Sequence, residues 1–207
     1  MQKIRHPDRG GFAWFSLKDH ERFDLTQLSE FRQHLTRSIE HSMKPLLERE
    51  NELATEDFED EFEKDGFRSH LQDQQYELTE IERLAQELAI VALNKKAEIS
   101  TNAIIDWYLP NTPKENRHRF FRLPMILGFK LDDLDGYEAR NELRELNNAI
   151  KHEGKVGNEL ARDFPAWGSE HAPLPNLGPA YDRLAPEVHK YMRAFVTRCQ
   201  QHSQFEP

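Results

Sequence analysis

The chain has 207 residues, a mass of 24.5 kDa and a net charge of −9. Charged residues make up 31% of it, above the usual ~25%, but Leu, Ile, Val and Phe are frequent enough to bury a core, which excludes wholesale disorder. The acidic balance excludes a surface coated with phosphate-binding side chains. The lone Cys199 excludes a disulfide framework and a cysteine-based structural zinc site, and no apolar run approaches the ~18 residues of a membrane span. The start, Met1 to Arg9, is polar and carries no apolar leader core. These features lead us to expect a single domain over 1–207, in a reducing cytoplasm and with no membrane contact.

Taken in chain order, residues 1–25 read as an irregular arm. Pro7, Gly10 and Gly11 punctuate it, and Phe12, Trp14 and Phe15 are placed to anchor it. From Thr26, Leu28, Phe31, Leu35, Ile39 and Met43 recur at spacings of three and four, the signature of a one-faced helix that Pro45 should end or kink. An acidic block follows, with Glu56, Asp57, Glu59, Asp60, Glu61 and Glu63 around Phe58 and Phe62, and it reads as a short solvated helix. Residues 69–109 carry the longest helical rhythm, interrupted at Lys95-Lys96 and Ser100-Thr101-Asn102, so one helix or two would fit. So long a pattern needs partner helices to cover it.

Pro110 to Pro113 break the chain. A further helix runs from about Leu134 or Gly136 to His152, with Gly154 suited to its C-cap. Residues 154–180 are rich in Gly and Pro and read as a long loop with room for a short helix at Asn158–Arg162. The last helix, about Tyr181–Gln201, should turn Leu184, Val188, Tyr191, Met192 and Phe195 inward, with Pro186 either kinking it or marking its first turn. No strand alternation appears. The expected fold class is an all-α helical bundle with an N-terminal arm and a long Pro/Gly loop before the last helix.

The helix ending at His152 carries the most chemistry. Leu143, Leu146 and Ile150 form a narrow apolar stripe, while Asn141, Glu145, Asn148 and His152 fall within about 60° of one another on the helical wheel, with Glu138 one turn earlier. That polar line lies roughly opposite the apolar stripe, so it should face water or a partner. Amides, a carboxylate and an imidazole in one line are costly to bury unless they pair or meet a ligand.

The stretch Glu142-Leu143-Arg144-Glu145-Leu146-Asn147-Asn148-Ala149-Ile150-Lys151-His152-Glu153-Gly154 resembles the signature helix of HEPN-type domains. Their motif sets an arginine ahead of a histidine with four to six residues between the two, often with a polar residue after the arginine. His152 matches the histidine and Asn148 the polar residue. The three arginine positions hold Asn147, Leu146 and Glu145, and Arg144 lies one residue beyond them. The resemblance implies an all-α, HEPN-like homodimer that binds RNA or nucleotides. It also implies a prokaryotic defence or toxin–antitoxin setting, with weak or no metal-independent endoribonuclease activity. RNA and an antitoxin-like protein are the partner classes it admits, and it calls for no cofactor. If the protein cleaves RNA, His152 is the acid–base group, Asn148 and Asn147 orient the phosphate or the imidazole, and Arg144 or Lys151 supplies charge.

A second cluster, Lys114 to Arg122, supplies Lys114, Arg117, Arg119 and Arg122 beside Phe120 and Phe121, a pattern suited to holding an RNA backbone and stacking a base. The alternative is that the two rings anchor the segment while its arginines pair with acidic residues. Metal motifs are poor: Glu115-x-x-His118 stands alone, and the Glu138/Glu145/His152 line spaces its groups about 10 Å apart. Phosphate loops and a serine elbow are absent, and Cys199 reads as packing. The competing class is a non-enzymatic helical protein–protein interaction module.

Overall fold

The computed structural model describes residues 10–56, 58, 60–115, 117, 120–152, 154–175 and 177–205. Seven α-helices and no β-strand occur among them, and 78% of these described residues are helical, in line with the all-α class that the periodicities predict. The helices are α1 (Phe12–Arg22), α2 (Thr26–Thr55), α3 (Glu61–Tyr108), α4 (Leu123–Leu127), α5 (Tyr137–His152), α6 (Asn158–Asp163) and α7 (Gly178–His202), with 3-10 turns at Phe120–Arg122 and Pro165–Trp167. No described helix is long and apolar enough to cross a membrane. The chain divides into two compact units, one built from Met1–Leu25 with Ile90–Pro207 and the other from Thr26–Ala89.

The Thr26–Ala89 unit consists of α2 and the first part of α3. Pro45 does not end α2, which continues to Thr55. A proline deletes one backbone hydrogen bond, and the good helix formers on both sides, Lys44 and Leu46 to Glu50, sustain the rest. Gln75 Nε2 donates to Glu50 at 2.8 Å and ties the two helices together. Ile39, Leu53, Leu71 and Ala89 are buried, whereas Ile81, Leu84 and Leu88 remain about half exposed. In the acidic block, 57 and 59 lie outside the described residues, and Glu61 and Glu63 form the first turn of α3, where carboxylates complement the helix dipole.

The other unit holds the larger core. The interruptions at Lys95-Lys96 and Ser100-Thr101-Asn102 do not break α3, and Ile90, Leu93, Ala97, Ile104 and Ile105 are all at or near zero exposure. Helix α5 packs chiefly on α7, and α1 also packs on α7. All five α7 residues expected to turn inward are buried, and Pro186 sits inside a helix that starts at Gly178 with Pro179 in its first turn.

The arm is a correction to the sequence reading: residues 12–22 are helical, and Leu17 and Phe23, rather than Phe12 and Phe15, are the buried residues. A helix this short carries too few turns to display a period. Phe23 ends it in the left-handed conformation (φ 47°) and is completely buried. His20 Nδ1 lies 3.2 Å from Ser100 Oγ and links α1 to α3.

The Pro/Gly segment after α5 is ordered by specific anchors. Gly154 takes φ +65° and its N–H donates to the Ala149 carbonyl at 3.0 Å, the glycine cap expected there. Val156 exchanges backbone hydrogen bonds with Ala172 and His171, both at 2.8 Å, while Val156, Leu160 and Leu177 are buried. Glu142 of α5 then holds the segment to the body. It accepts two hydrogen bonds from Arg183 of α7, at 2.6 and 2.8 Å, and one from the Trp167 indole at 2.7 Å.

Candidate functional site

The polar line on α5 lines a cleft of about 560 Å³. Arg144, Glu145, Asn148 and His152 form one wall. The loop 155–157, helix α6 and the Glu170–His171 turn form the other. The line is therefore not opposite the core, as the wheel suggested. Glu142 and Glu145 are both buried, because α7 covers one flank of α5 and α6 covers another. Asn141 lies half-buried beside the cleft and accepts hydrogen bonds from Arg144 at 3.0 and 3.3 Å, while Glu138 is exposed outside it.

Glu145 is perturbed by its burial in the cleft. Its side chain is 6% exposed, and burial pushes its carboxyl above the ordinary value of 4.5. The Arg144 guanidinium, bonded to it directly, and Asn148 Nδ2, at 3.4 Å, oppose that shift without cancelling it. Glu159 and Asp163 across the cleft add to it. A carboxyl that retains its proton more tightly than usual, in a cleft that also holds an imidazole, can donate or accept a proton. On the far wall, Arg162 and Asp163 pair at 2.7 and 2.9 Å. The cleft thus mixes both charge signs.

Asn147, at the position nearest the family arginine, is turned into the interior. It is 3% exposed and does not line the cleft, and its Oδ1 has no hydrogen-bond partner among the described residues. Arg144, one residue outside the motif, lines the same cleft as His152, as does Arg162 on the far wall. Lys151 is exposed beside it on the helix end.

No family model, no curated protein and no solved structure matches this chain.

The basic cluster is not the open phosphate-binding strip its sequence suggests. Arg117 is buried: it pairs with Asp106 at 2.5 Å and donates to the Pro113 and Thr112 carbonyls at 3.1 and 2.5 Å. This corrects its expected contact with an RNA backbone, because desolvating a guanidinium requires internal acceptors and the turn supplies them. Arg119 lies outside the described residues. Lys114 is exposed, and Arg122 is half-buried with its guanidinium 5.7 Å from the Phe121 ring. Phe120 packs inward, stacked on Tyr137 at 5.9 Å, whereas Phe121 is 66% exposed and lines the cleft. Cys199 is fully buried, and burial pushes its thiol far above the range of a nucleophile, so it serves as packing.

The sequence carried no signal for the far wall, Lys155, Glu159, Arg162, Asp163, Glu170 and His171, because these residues lie on a segment with no periodicity. Glu145 was legible only as a member of the 141/145/148/152 line. Arg140 and Asn94, which meet at 2.8 Å, are separated by 46 positions and leave no local mark.

Proposed function

We propose that this protein is a HEPN-like, homodimeric, nucleotide- or RNA-binding domain with weak or no ribonuclease activity. One observation carries this reading: His152 and the displaced Arg144 line the same cleft. Transition-state charge in metal-free RNA cleavage needs a free, fixed guanidinium near the histidine. Arg144 is instead bonded to Glu145 and Asn141, and Asn147 faces the core. This arrangement supports binding over catalysis. The four carboxylates of the cleft, Glu145, Glu159, Asp163 and Glu170, also disfavour a long polyanion there and favour a short ligand with one anionic end. A defence or toxin–antitoxin setting and a homodimer remain proposals on the strength of the α5 resemblance.

The test pairs two measurements on the full chain. The first is binding of short single-stranded RNA and of mononucleotides, with Asn148→Ala and His152→Ala as variants. The second is RNA cleavage in chelator. Binding that both variants weaken, with little cleavage, is the expected result. Unchanged binding in both would refute the cleft as the site, and strong cleavage lost in His152→Ala would refute the non-catalytic reading.

A further inference from the structure

Beside the cleft, and sharing Arg144, Asn148 and Phe121 with it, lies a second pocket of about 380 Å³ between α3, the Phe120–Arg122 turn and α5. Its inner wall is Arg140, which is 3% exposed. A guanidinium so completely removed from water ordinarily has a carboxylate partner. Arg140 forms no ion pair among the described residues. Its Nη1 donates to a neutral acceptor, Asn94 Oδ1 at 2.8 Å, and its Nε has no acceptor among the described residues.

The surrounding charges are mixed: Glu98 favours the Arg140 charge and Arg144 opposes it. Arg140 and Arg144 both sit against the Phe120 ring, at 5.2 and 5.6 Å from its centre, so two like charges are held side by side, although Glu145 meets that of Arg144. Exposed Lys95 also lines the pocket. Arg117 reaches it too, but its charge is met by Asp106. The one carboxylate in the lining is Glu98, which accepts from Asn94 Nδ2 at 3.0 Å. In a chain of net charge −9, this pocket brings together exposed Lys95 and a buried guanidinium to which no carboxylate is bonded among the described residues.

We propose that this pocket is a seat for a phosphoryl group, with Arg140 as its buried anchor and Lys95 as its outer donor. A phosphate oxygen on the Arg140 guanidinium supplies the missing anionic partner, and its charge offsets the repulsion between Arg140 and Arg144. The volume falls in the range of about 300–1,000 Å³ typical of small-molecule sites and exceeds the needs of one phosphate. The shared rim at Asn148 and Phe121 leads into the cleft, so a nucleoside attached to that phosphate extends past an exposed aromatic ring. The seat stands on Arg140 alone, whereas the nucleoside extension rests on the cleft reading above.

The test is calorimetric titration and thermal shift of the full chain with inorganic phosphate, with a nucleoside monophosphate, and with sodium chloride at matched ionic strength. Phosphate should raise Tm where chloride does not, and the nucleotide should bind more tightly than phosphate. Arg140→Met should weaken phosphate binding at least about tenfold, since a hydrogen bond to a charged group contributes about 1.5–3 kcal/mol. Lys95→Gln, at an exposed position, should weaken it by about twofold to fivefold and keeps the test decisive if Arg140→Met does not fold. No stabilisation by about 10 mM phosphate, or stabilisation equal in parent and both variants, overturns the seat. Phosphate binding that obeys the variants while the nucleotide binds no tighter keeps the seat and overturns the nucleoside extension into the cleft.

Discussion

Gly136, the residue before α5, sits at φ +78°, and a Cβ built on it would lie 2.3 Å from the Glu187 carbonyl oxygen and 2.9 Å from the Tyr191 nitrogen. Both are backbone atoms of α7, so no side-chain rotation relieves the contact. For Gly136→Ala the left-handed conformation costs about 1–2 kcal/mol, and forcing the two helices apart adds about 1–3 kcal/mol. The expected loss is about 2–5 kcal/mol, or roughly 5–15 °C in Tm for a chain of this size. Gly154→Ala is the control: at φ +65° it has open space around the added methyl and should lose only the conformational cost of about 1 kcal/mol. All three tryptophans, Trp14, Trp107 and Trp167, belong to the unit that contains α5 and α7, so urea unfolding followed by tryptophan fluorescence reports that unit. Equal losses in the two variants would refute the backbone-to-backbone approach of α5 and α7.

Three further outcomes follow from the same structure. Burial pushes the Glu145 carboxyl up, so the folded state binds a proton more readily than the unfolded chain, and stability falls as pH rises through that window. Glu145→Gln should therefore raise Tm at neutral pH, and the gain should vanish below about pH 4.5, where both states are protonated; a gain independent of pH would argue against burial as its cause. His20 behaves in the opposite sense: burial, and after it Lys96, lowers its pKa from 6.5, so its contribution is complete above that value and is lost as pH falls. Tm measured from about pH 7.5 to 5 should decline more steeply for the parent than for His20→Gln, and parallel curves would contradict the assignment. Arg183→Ala leaves the Glu142 carboxylate with Trp167 as its remaining donor; because Arg183 is over half exposed, the loss should be about 1–2 kcal/mol, seen as faster protease cleavage within 154–175.

The inward faces of α7 and of the second half of α3 were legible because apolar residues there obey one period and meet one core. The arm was misread because α1 buries only Leu17 along its length and depends on Phe23 beyond its end. Helix α5 shows where periodicity fails. Glu145 read as facing water or a partner and nothing in the pattern marked Arg140, Glu142 or Asn147 for burial, yet all four are buried, because Asn94 and Arg183, far away in sequence, bond Arg140 and Glu142, and Arg144 and Asn148 bond Glu145. A hydropathy pattern registers a charge but not the partner that lets it be covered. The His152 line was found by spacing, and its location in a cleft depends on a segment whose order comes from long-range anchors.

The Glu142–Arg183–Trp167 tie lies outside the cleft, yet it fixes the strap that supplies the cleft's far wall. A mutational survey scored on ligand capture would therefore return these three positions alongside Arg144 and His152. They would mimic contact residues while touching nothing that is captured. Reading such a survey as a footprint would draw the binding surface on the wrong side of α5.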